Sequence, residues 1–272
     1  MKNIEFLRLA NEFWQVEVTS CGGQVLRAEY AASDHPVLFC GKKAEIVPGK
    51  AIRGGIPVCW PWFGASPVAG RPIQGFARTA LWETVELEKD FVRFRLPEEN
   101  VPENLRDFPF ELFSGIRLSE ALEISLVMKN TGTVPAEISC ALHSYFAVSD
   151  CEKVTVSGLE NSPFTVKGGP ELPGENAPLR ISGEVCRLYC PQNSILTLHD
   201  PVWKRKIVIE KENSSSTLVW NPGAERCAQI SDLEDDEYHD FLCIEANRAG
   251  VDTLLLSPGE RAVVSQRIRL SE

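Results

Sequence analysis

A histidine and a glutamate, His143 and Glu245, are the side chains in this sequence best suited to acid–base chemistry. His143 lies in the run ALHSYF, and an imidazole changes its charge near neutral pH. Glu245 lies in DFLCIEA, where an ionised carboxylate between apolar residues is unfavourable unless it is paired or hydrogen-bonded. Residue type alone leaves two interpretations open for each residue. His143 is either catalytic or a hydrogen-bonded structural histidine, and Glu245 is either catalytic or a glutamate that points outward or forms an ion pair.

Two arginines, Arg53 and Arg78, are candidates for binding an anion. Both lie in the segment 47–80, which is rich in Gly, Pro and Trp, and each stands close to glycines, in RGG and in QGFAR. Glycine lets the backbone approach a ligand closely, and the planar guanidinium group matches a phosphate. The alternative is that both arginines have a structural role and only fix the loop by donating hydrogen bonds to backbone carbonyls. Long ordered loops of this composition usually carry function.

No metal site is expected. The nine cysteines form no CxxC pair, and Cys186 and Cys190 have no histidine close by in sequence. The acidic run 232–237 lacks the turn glycine of a calcium loop, so we expect it to be a solvated loop. No nucleophile elbow, phosphate-binding P-loop or HExxH helix occurs.

The elements that must position these groups are predicted to be strands. Apolar and polar residues alternate, turn signals intervene, and no long helical pattern is present. In the predicted strand 136–148, His143 shares a face with Ser139, Ala141 and Tyr145 that points away from the main core. The Pro- and Gly-rich stretch 163–178 is predicted to be a surface loop. Strands are predicted at 13–18, 81–88, 91–96, 111–118, 122–129, 136–148, 153–158, 194–199, 206–211, 217–220, 240–246 and 261–270.

Composition limits the class of protein. The chain has 272 residues, 43% of them hydrophobic, with a net charge of −10 and a pI of about 5.1. These values are normal for a globular protein with a sizeable core. The many predicted strands without intervening helices predict an all-β fold, a large two-sheet β-sandwich, as a single domain over 1–272. The acidic balance argues against a nucleic-acid partner, and no apolar run predicts a membrane span. The odd number of cysteines without a secretory signal predicts free thiols in the cytoplasm, and we expect a monomer.

Several segments together resemble the D-hexose-6-phosphate mutarotases, also called glucose-6-phosphate 1-epimerases, of the aldose 1-epimerase superfamily. They are IRGGIPVCWPWFG (52–64), QGFAR (74–78), LHSYF (142–146), VWNPG (219–223) and FLCIEA (241–246). Their order and approximate spacing match the family along nearly the whole chain. The resemblance implies a galactose mutarotase-like supersandwich and an enzyme that interconverts the α and β anomers of a hexose 6-phosphate without metal or organic cofactor.

The resemblance also assigns roles to residues. It implies that His143 is the catalytic acid, that Glu245 is the catalytic base, and that Arg53 and Arg78 bind the sugar phosphate. Gln74 stands where the family usually has the histidine of HGFAR, and we expect it to contact substrate. Cys186 stands where the family usually has an aspartate that binds sugar hydroxyls.

The assigned roles predict protonation states. As the base, Glu245 should be ionised at neutral pH, as a carboxyl of ordinary pKa would be. As the acid, His143 should start protonated, with a pKa raised by a nearby carboxylate. Two other functions remain open: an aldose 1-epimerase acting on free sugars, and a non-catalytic carbohydrate-binding β-sandwich.

Overall fold

The computed structural model describes residues 3–190 and 193–271, and its regular secondary structure is almost entirely β-strand, as predicted. The strands are β1 (Phe6–Ala10), β2 (Trp14–Thr19), β3 (Gln24–Tyr30), β4 (Val58–Cys59), β5 (Glu83–Leu87), β6 (Phe91–Arg95), β7 (Phe110–Leu118), β8 (Leu122–Asn130), β9 (Ala136–Ile138), β10 (Cys140–Leu142), β11 (Tyr145–Ala147), β12 (Thr155–Ser157), β13 (Phe164–Val166), β14 (Glu171–Leu172), β15 (Leu179–Arg180), β16 (Val185–Tyr189), β17 (Ile195–Asp200), β18 (Arg205–Glu212), β19 (Ser216–Asn221), β20 (Phe241–Arg248), β21 (Leu254–Leu256) and β22 (Arg261–Ser271).

Helical structure is brief. One α-helix, α1, spans Gly223–Cys227, and 3₁₀ turns occur at Ala77–Thr79, Glu98–Asn100, Glu103–Leu105, Glu237–His239 and Gly250–Asp252. Among the described residues, no helix combines the length and the apolar character needed to cross a bilayer.

Two large antiparallel sheets form the body of the fold. One runs β14-β13-β16-β19-β20-β10-β4, with β11 also paired to β20, and the other runs β15-β12-β17-β18-β22-β8-β7-β6-β5. They face each other, because Gln266 of β22 donates from Nε2 to the Ile244 carbonyl of β20 and Ser144 bonds the Gln266 side chain. The predicted two-sheet sandwich is therefore confirmed.

Alternation along the strands builds the core between these sheets. In β8 the residues Leu122, Ile124, Leu126 and Met128 are buried, and those between them are half-buried. β20 differs, because both of its faces are buried. Its even-numbered residues join the core, and its odd-numbered residues lie beneath the segments that cover the sheet's other face.

The predicted strand 136–148 is wrong as a single element. It divides into β9, which pairs with β21, and into β10 and β11, which pair with β20. The breaks fall where the backbone turns to the 47–80 segment: Ser139 N donates to Pro61 O, and His143 N donates to Pro57 O. Both bonds join residues far apart in sequence, so the alternation of side chains gives no sign of them.

The expected surface loop 163–178 is also partly wrong, because it holds β13 and β14 as an antiparallel pair. The 47–80 segment has the irregular form that its sequence predicts, with the two-residue β4 and one 3₁₀ turn as its only elements.

Candidate active site

Glu245 lies in the middle of β20 on the face opposite the core. Leu242, Ile244 and Ala246 belong to the main hydrophobic core, so Cys243 and Glu245 point the other way. Glu245 is nevertheless 0% exposed. A carboxylate on a strand's outer face becomes this inaccessible only because other parts of the chain cover it.

His143 lies directly across from Glu245 on the neighbouring strand. β10 pairs Leu142 with Ala246 and β11 pairs Tyr145 with Cys243, so the register continues unchanged through the break at 143–144. The backbone bond from Ile244 N to Ser144 O keeps the two chains together there. Residues opposite each other in an antiparallel pair have Cβ atoms about 5 Å apart, which brings their side chains into contact.

The two side chains touch, and each retains an unused polar atom. His143 Nε2 lies 3.2 Å from Glu245 Oε1. The geometry of this contact is not that of a hydrogen bond, so Oε1 is left without a hydrogen-bond partner among the described residues. His143 Nδ1 has no hydrogen-bond partner there either. Buried polar atoms in native proteins are nearly always satisfied. Both atoms are therefore available for further hydrogen bonds.

Aromatic rings fix the imidazole. The Tyr145 ring stacks on His143 with centroids 4.8 Å apart and planes 9° apart, and the Trp220 ring meets it edge-on at 6.1 Å. The predicted common face of His143 and Tyr145 is therefore found even though the strand is broken. His143 retains 6% exposure, so the pair is reached from its side.

Arg53 is held at the rim by two partners. Its Nη1 donates to the Tyr145 hydroxyl at 3.0 Å, and its Nε and Nη2 both lie 3.2 Å from Asp232 Oδ1. Gly55 (φ +66°) fixes the adjacent backbone, because a Cβ there would lie 2.1 Å from the Val25 carbonyl oxygen. The RGG sequence thus places the guanidinium group beside the histidine's stacking partner.

Asp232 corrects one expectation. The acidic run 232–237 is not simply a solvated loop, because Asp232 pairs with Arg53 and Glu237 is 0% exposed. The run helps to build the rim of the site.

Arg78 makes fewer hydrogen bonds and ion pairs than Arg53. Its Nη2 donates to Ile73 O at 3.2 Å, and its buried Nε has no hydrogen-bond partner among the described residues. Gly75 (φ +71°) packs on the Trp60 backbone, where a Cβ would lie 2.0 Å from the Trp60 oxygen. This close approach fixes the path of the chain three residues before Arg78.

Gln74 is placed in the same loop, where its side chain already has a structural partner. Its Oε1 accepts from Gly64 N at 2.8 Å, and its own N donates to Gly64 O at 2.7 Å. These bonds close the loop 64–74. The expected contact between Gln74 and substrate stays a prediction.

Cys186 lies on the same sheet face as the dyad. It pairs with Trp220 across β16 and β19, and Trp220 pairs in turn with Cys243 of β20. Neighbours in one row of a sheet point to the same side. Cys186 therefore lies one strand beyond Trp220, in the same row as Cys243, and burial together with the charge of Glu245 raises the pKa of its thiol.

The electrostatics of the pair differ from the sequence-based expectation, which is wrong for both residues. Burial lowers the pKa of His143 to about 3, with the Arg78 and Arg53 charges adding to the effect. Burial raises the pKa of Glu245 well above its usual range, and the Asn247 hydrogen bond and Arg78 offset this only in part. The sequence does not show how completely the outer face of β20 is covered. Both shifts favour the neutral forms of the pair, the protonated carboxyl and the unprotonated imidazole.

One group within the described ranges has the spacing of metal ligands: Asp150, Cys151 and His239, with ligand atoms within 4.8 Å of one another. The Asp150 carboxylate already bonds His239 at 3.0 Å and Lys153 at 3.2 Å. Cys151 is a member of the main core, and burial raises the pKa of its thiol to about 12. These contacts explain the spacing of the three residues by structural roles, without a metal ion.

Two surface cavities lie away from the dyad. They measure about 490 and 660 Å³ and share Trp203 as a wall. His143, Glu245, Arg53 and Arg78 line neither of them. The site is thus defined by convergent polar groups on a covered sheet face.

Comparison with known proteins places the chain among sugar epimerases. Residues 5–269 match the sequence profile of the aldose 1-epimerase family. An Escherichia coli K12 protein with the provisional name glucose-6-phosphate 1-epimerase is 29% identical over 246 residues, which cover 89% of this chain and 82% of the relative. A Cenchrus ciliaris protein with the same provisional name is 30% identical over 261 residues, which cover 90% of this chain and 78% of that one.

A crystal structure from Salmonella typhimurium shows that the fold is shared. It is described provisionally as a mutarotase, has a TM-score of 0.89 and 24% identity, and the match covers 100% of this chain and 92% of that one. The predicted mutarotase-like architecture is thereby confirmed.

Proposed function

Since this chain belongs to the aldose 1-epimerase family, we propose that it interconverts the α and β anomers of a hexose 6-phosphate, with glucose 6-phosphate as the first substrate to test. The observation that carries the proposal is the buried pair His143–Glu245, in which Glu245 Oε1 and His143 Nδ1 have no hydrogen-bond partner among the described residues. The provisional names of the relatives point to the same substrate.

The proposed reaction opens and recloses the pyranose ring. The Glu245 carboxylate takes the proton of the anomeric hydroxyl, whose oxygen becomes the aldehyde oxygen as the C1–O5 bond breaks. Protonated His143 gives its proton to O5. Rotation about C1–C2 presents the other carbonyl face, and the same steps in reverse close the ring. Each proton transfer by a positioned group typically contributes about 10²–10⁴ in rate.

The proton shared by the pair must lie on His143 before the ring opens. With the ligand absent, burial favours the neutral form, with the proton on Glu245. The ion-paired form contains the same number of protons, so reaching it only moves one proton between the two side chains. A phosphate dianion near Arg53 and Arg78 would offset the two charges that disfavour protonated His143.

Arg78 is the proposed main phosphate ligand, because its Nε is free to bond and Arg53 is engaged by Asp232 and Tyr145. The pairing of Arg53 with Asp232 also favours a second candidate, an aldose 1-epimerase on free sugars, since it leaves one cation less for a phosphate. We propose the cytoplasm as the compartment, because all nine cysteines, each within the described ranges, are free thiols.

The test is anomer exchange followed by NMR saturation transfer on glucose 6-phosphate and on glucose, with wild-type enzyme and with His143→Ala. We expect a rate above the spontaneous one for the phosphorylated sugar and a loss of about 10²-fold or more in the variant. Equal acceleration of both sugars would favour the free-sugar epimerase. Sugar binding without acceleration would identify a carbohydrate-binding module instead.

A further inference from the structure

We propose that Asn247 is a positioning residue for the base: its amide holds Glu245 Oε2 and leaves Oε1 free to receive the proton of the anomeric hydroxyl. This inference rests on the proposed epimerase function and assigns one further residue to its site. Asn247 follows Glu245 by two residues on β20, so both side chains lie on the same face of the sheet.

The orientation of the Asn247 amide is determined by a backbone group. The Leu218 N–H donates to Asn247 Oδ1 at 2.9 Å. Because an N–H group can only donate, the acceptor end of the amide must face Leu218, and Nδ2 must face the other way. Nδ2 then donates to Glu245 Oε2 at 3.2 Å. The amide cannot be flipped without losing both bonds.

The backbone of Asn247 is fixed as firmly as its side chain. Its carbonyl oxygen accepts from Ser214 Oγ at 2.9 Å and from Ser216 Oγ at 3.0 Å, and the residue is 0% exposed. A group held by four hydrogen bonds in a closed environment has little freedom to follow the carboxylate. The carboxylate is therefore held by the amide.

This arrangement divides the two oxygens of Glu245 between two tasks. Within the part of the chain that the structure describes, Asn247 is the one side chain that donates a hydrogen bond to this carboxylate. A donated hydrogen bond favours the ionised form and opposes the effect of burial. Removing it should leave the proton on Glu245, and the reaction would then lack its base.

Few other groups near Glu245 change charge in the working pH range. Burial raises the pKa values of the nearby thiols Cys59, Cys186 and Cys243. Among the described residues, His143 and Glu245 itself are therefore the groups expected to define the acid limb of a pH–rate profile.

The test is Asn247→Asp, which keeps the shape and the acceptor facing Leu218 but replaces the donor with a second carboxyl oxygen. For glucose 6-phosphate we expect kcat at pH 7 to fall about 10²-fold and KM to stay within about threefold. The acid limb of kcat/KM should move upward by about one pH unit or more, because two adjacent carboxyls retain a proton. A folded variant whose acid limb does not move would overturn the proposal.

Asn130→Asp is the matched control. Asn130 is also 0% exposed, and its Nδ2 donates to Val134 O and Leu256 O while its Oδ1 accepts from Gly132 N. It lies at the end of β8, in the large sheet that does not carry the dyad, so this variant should lose stability with its acid limb in place. An equal shift in both variants would reduce Asn247 to a structural residue.

A measurement on the wild-type enzyme covers the case in which Asn247→Asp does not fold. The Asn247 side-chain amide protons, followed by nitrogen-15 NMR, should titrate with the midpoint of the acid limb, and Glu245→Gln should abolish that titration. An amide that ignores pH would overturn the proposal. No acceleration by the wild-type enzyme would instead remove the epimerase function itself, a result distinct from an active enzyme with an insensitive amide.

Discussion

Two of the glutamates that the structure describes are fully buried, Glu245 on β20 and Glu237 in the acidic loop, and their surroundings differ. Glu237 accepts from Lys42 N at 2.9 Å and from Glu234 N at 2.8 Å, so each of its oxygens has a backbone donor. Glu245 has one donor, Asn247, and its second oxygen has no hydrogen-bond partner among the described residues. The two carboxylates are therefore equally buried, but Glu237 has hydrogen-bond donors to both oxygens and Glu245 has a donor to only one. This is the difference expected between a carboxylate that holds a loop and one with the catalytic role proposed for Glu245.

The largest effect that can test this difference is on catalysis by Glu245. In Glu245→Gln we expect kcat for glucose 6-phosphate exchange to fall about 10²–10⁴-fold, because an amide cannot take up the hydroxyl proton. The melting temperature should not fall, because the substitution removes a buried ionisable group. Saturation-transfer NMR and a thermal scan measure the two quantities. Full activity would remove Glu245 from the mechanism.

The second effect concerns Arg78, whose charge acts on the pKa values of His143 and Glu245. Among the described residues, Arg78 has no charged partner. Arg78→Ala should raise KM for glucose 6-phosphate about 10–100-fold, since a hydrogen bond to a charged group is worth about 1.5–3 kcal/mol. Exchange of free glucose should change little, because it has no phosphate to lose. Parallel kinetics on both sugars check this. Equal losses on both would contradict a phosphate role for Arg78.

The satisfied glutamate should respond in the opposite way to Glu245. Glu237→Gln replaces one acceptor with an NH₂ group that faces a backbone donor, and we expect it to lower the free energy of unfolding by about 1–3 kcal/mol. kcat for glucose 6-phosphate should stay within about threefold. Urea denaturation and the exchange assay are the measurements. A Glu237→Gln variant that is inactive but fully stable would contradict the proposed difference in role between Glu237 and Glu245.

The smallest expected effect is a pH dependence of stability. Burial raises the folded-state pKa of Glu245, so the folded protein keeps a proton that the unfolded chain has lost. The corresponding stability is present below the unfolded carboxyl's pKa and is lost as the pH rises towards the folded value. Relative to Glu245→Gln, wild type should therefore lose up to about 1.4 kcal/mol per pH unit above about pH 5. Denaturation of both proteins at pH 5.5 and 8 measures it, and a constant difference would contradict the raised pKa.

The sequence predicts most of the fold because alternation is a local property. Strands such as β8 and β22 match their predicted ranges to within one residue. The two breaks in the predicted strand 136–148 could not be predicted in this way, because they accompany hydrogen bonds from Ser139 N to Pro61 O and from His143 N to Pro57 O, which join residues far apart in sequence. Long-range bonds of this kind leave no periodic signal.

The proximity of His143 and Glu245 agrees with the roles predicted for them, which stay predictions, but their electrostatics differ from the prediction. His143 and Glu245 are in contact, and Arg53 and Arg78 act on the pKa of His143. The direction of the pKa shifts was wrong, because local sequence does not show that distant segments close over β20. Asn247 was missed although it lies two residues after Glu245. Its spacing places it on the same face, and that was the available signal.

The continuous register between β20 and the β10–β11 pair has a consequence for how substrate range can change. The separation of acid and base is set by a hydrogen-bonded ladder that belongs to the framework of the sheet. Arg53, Gln74 and Arg78 instead belong to the parts of the 47–80 segment on either side of β4, which is itself paired with β10. Under the proposed function, substitutions at these three positions would change sugar recognition while the spacing of acid and base stays as it is.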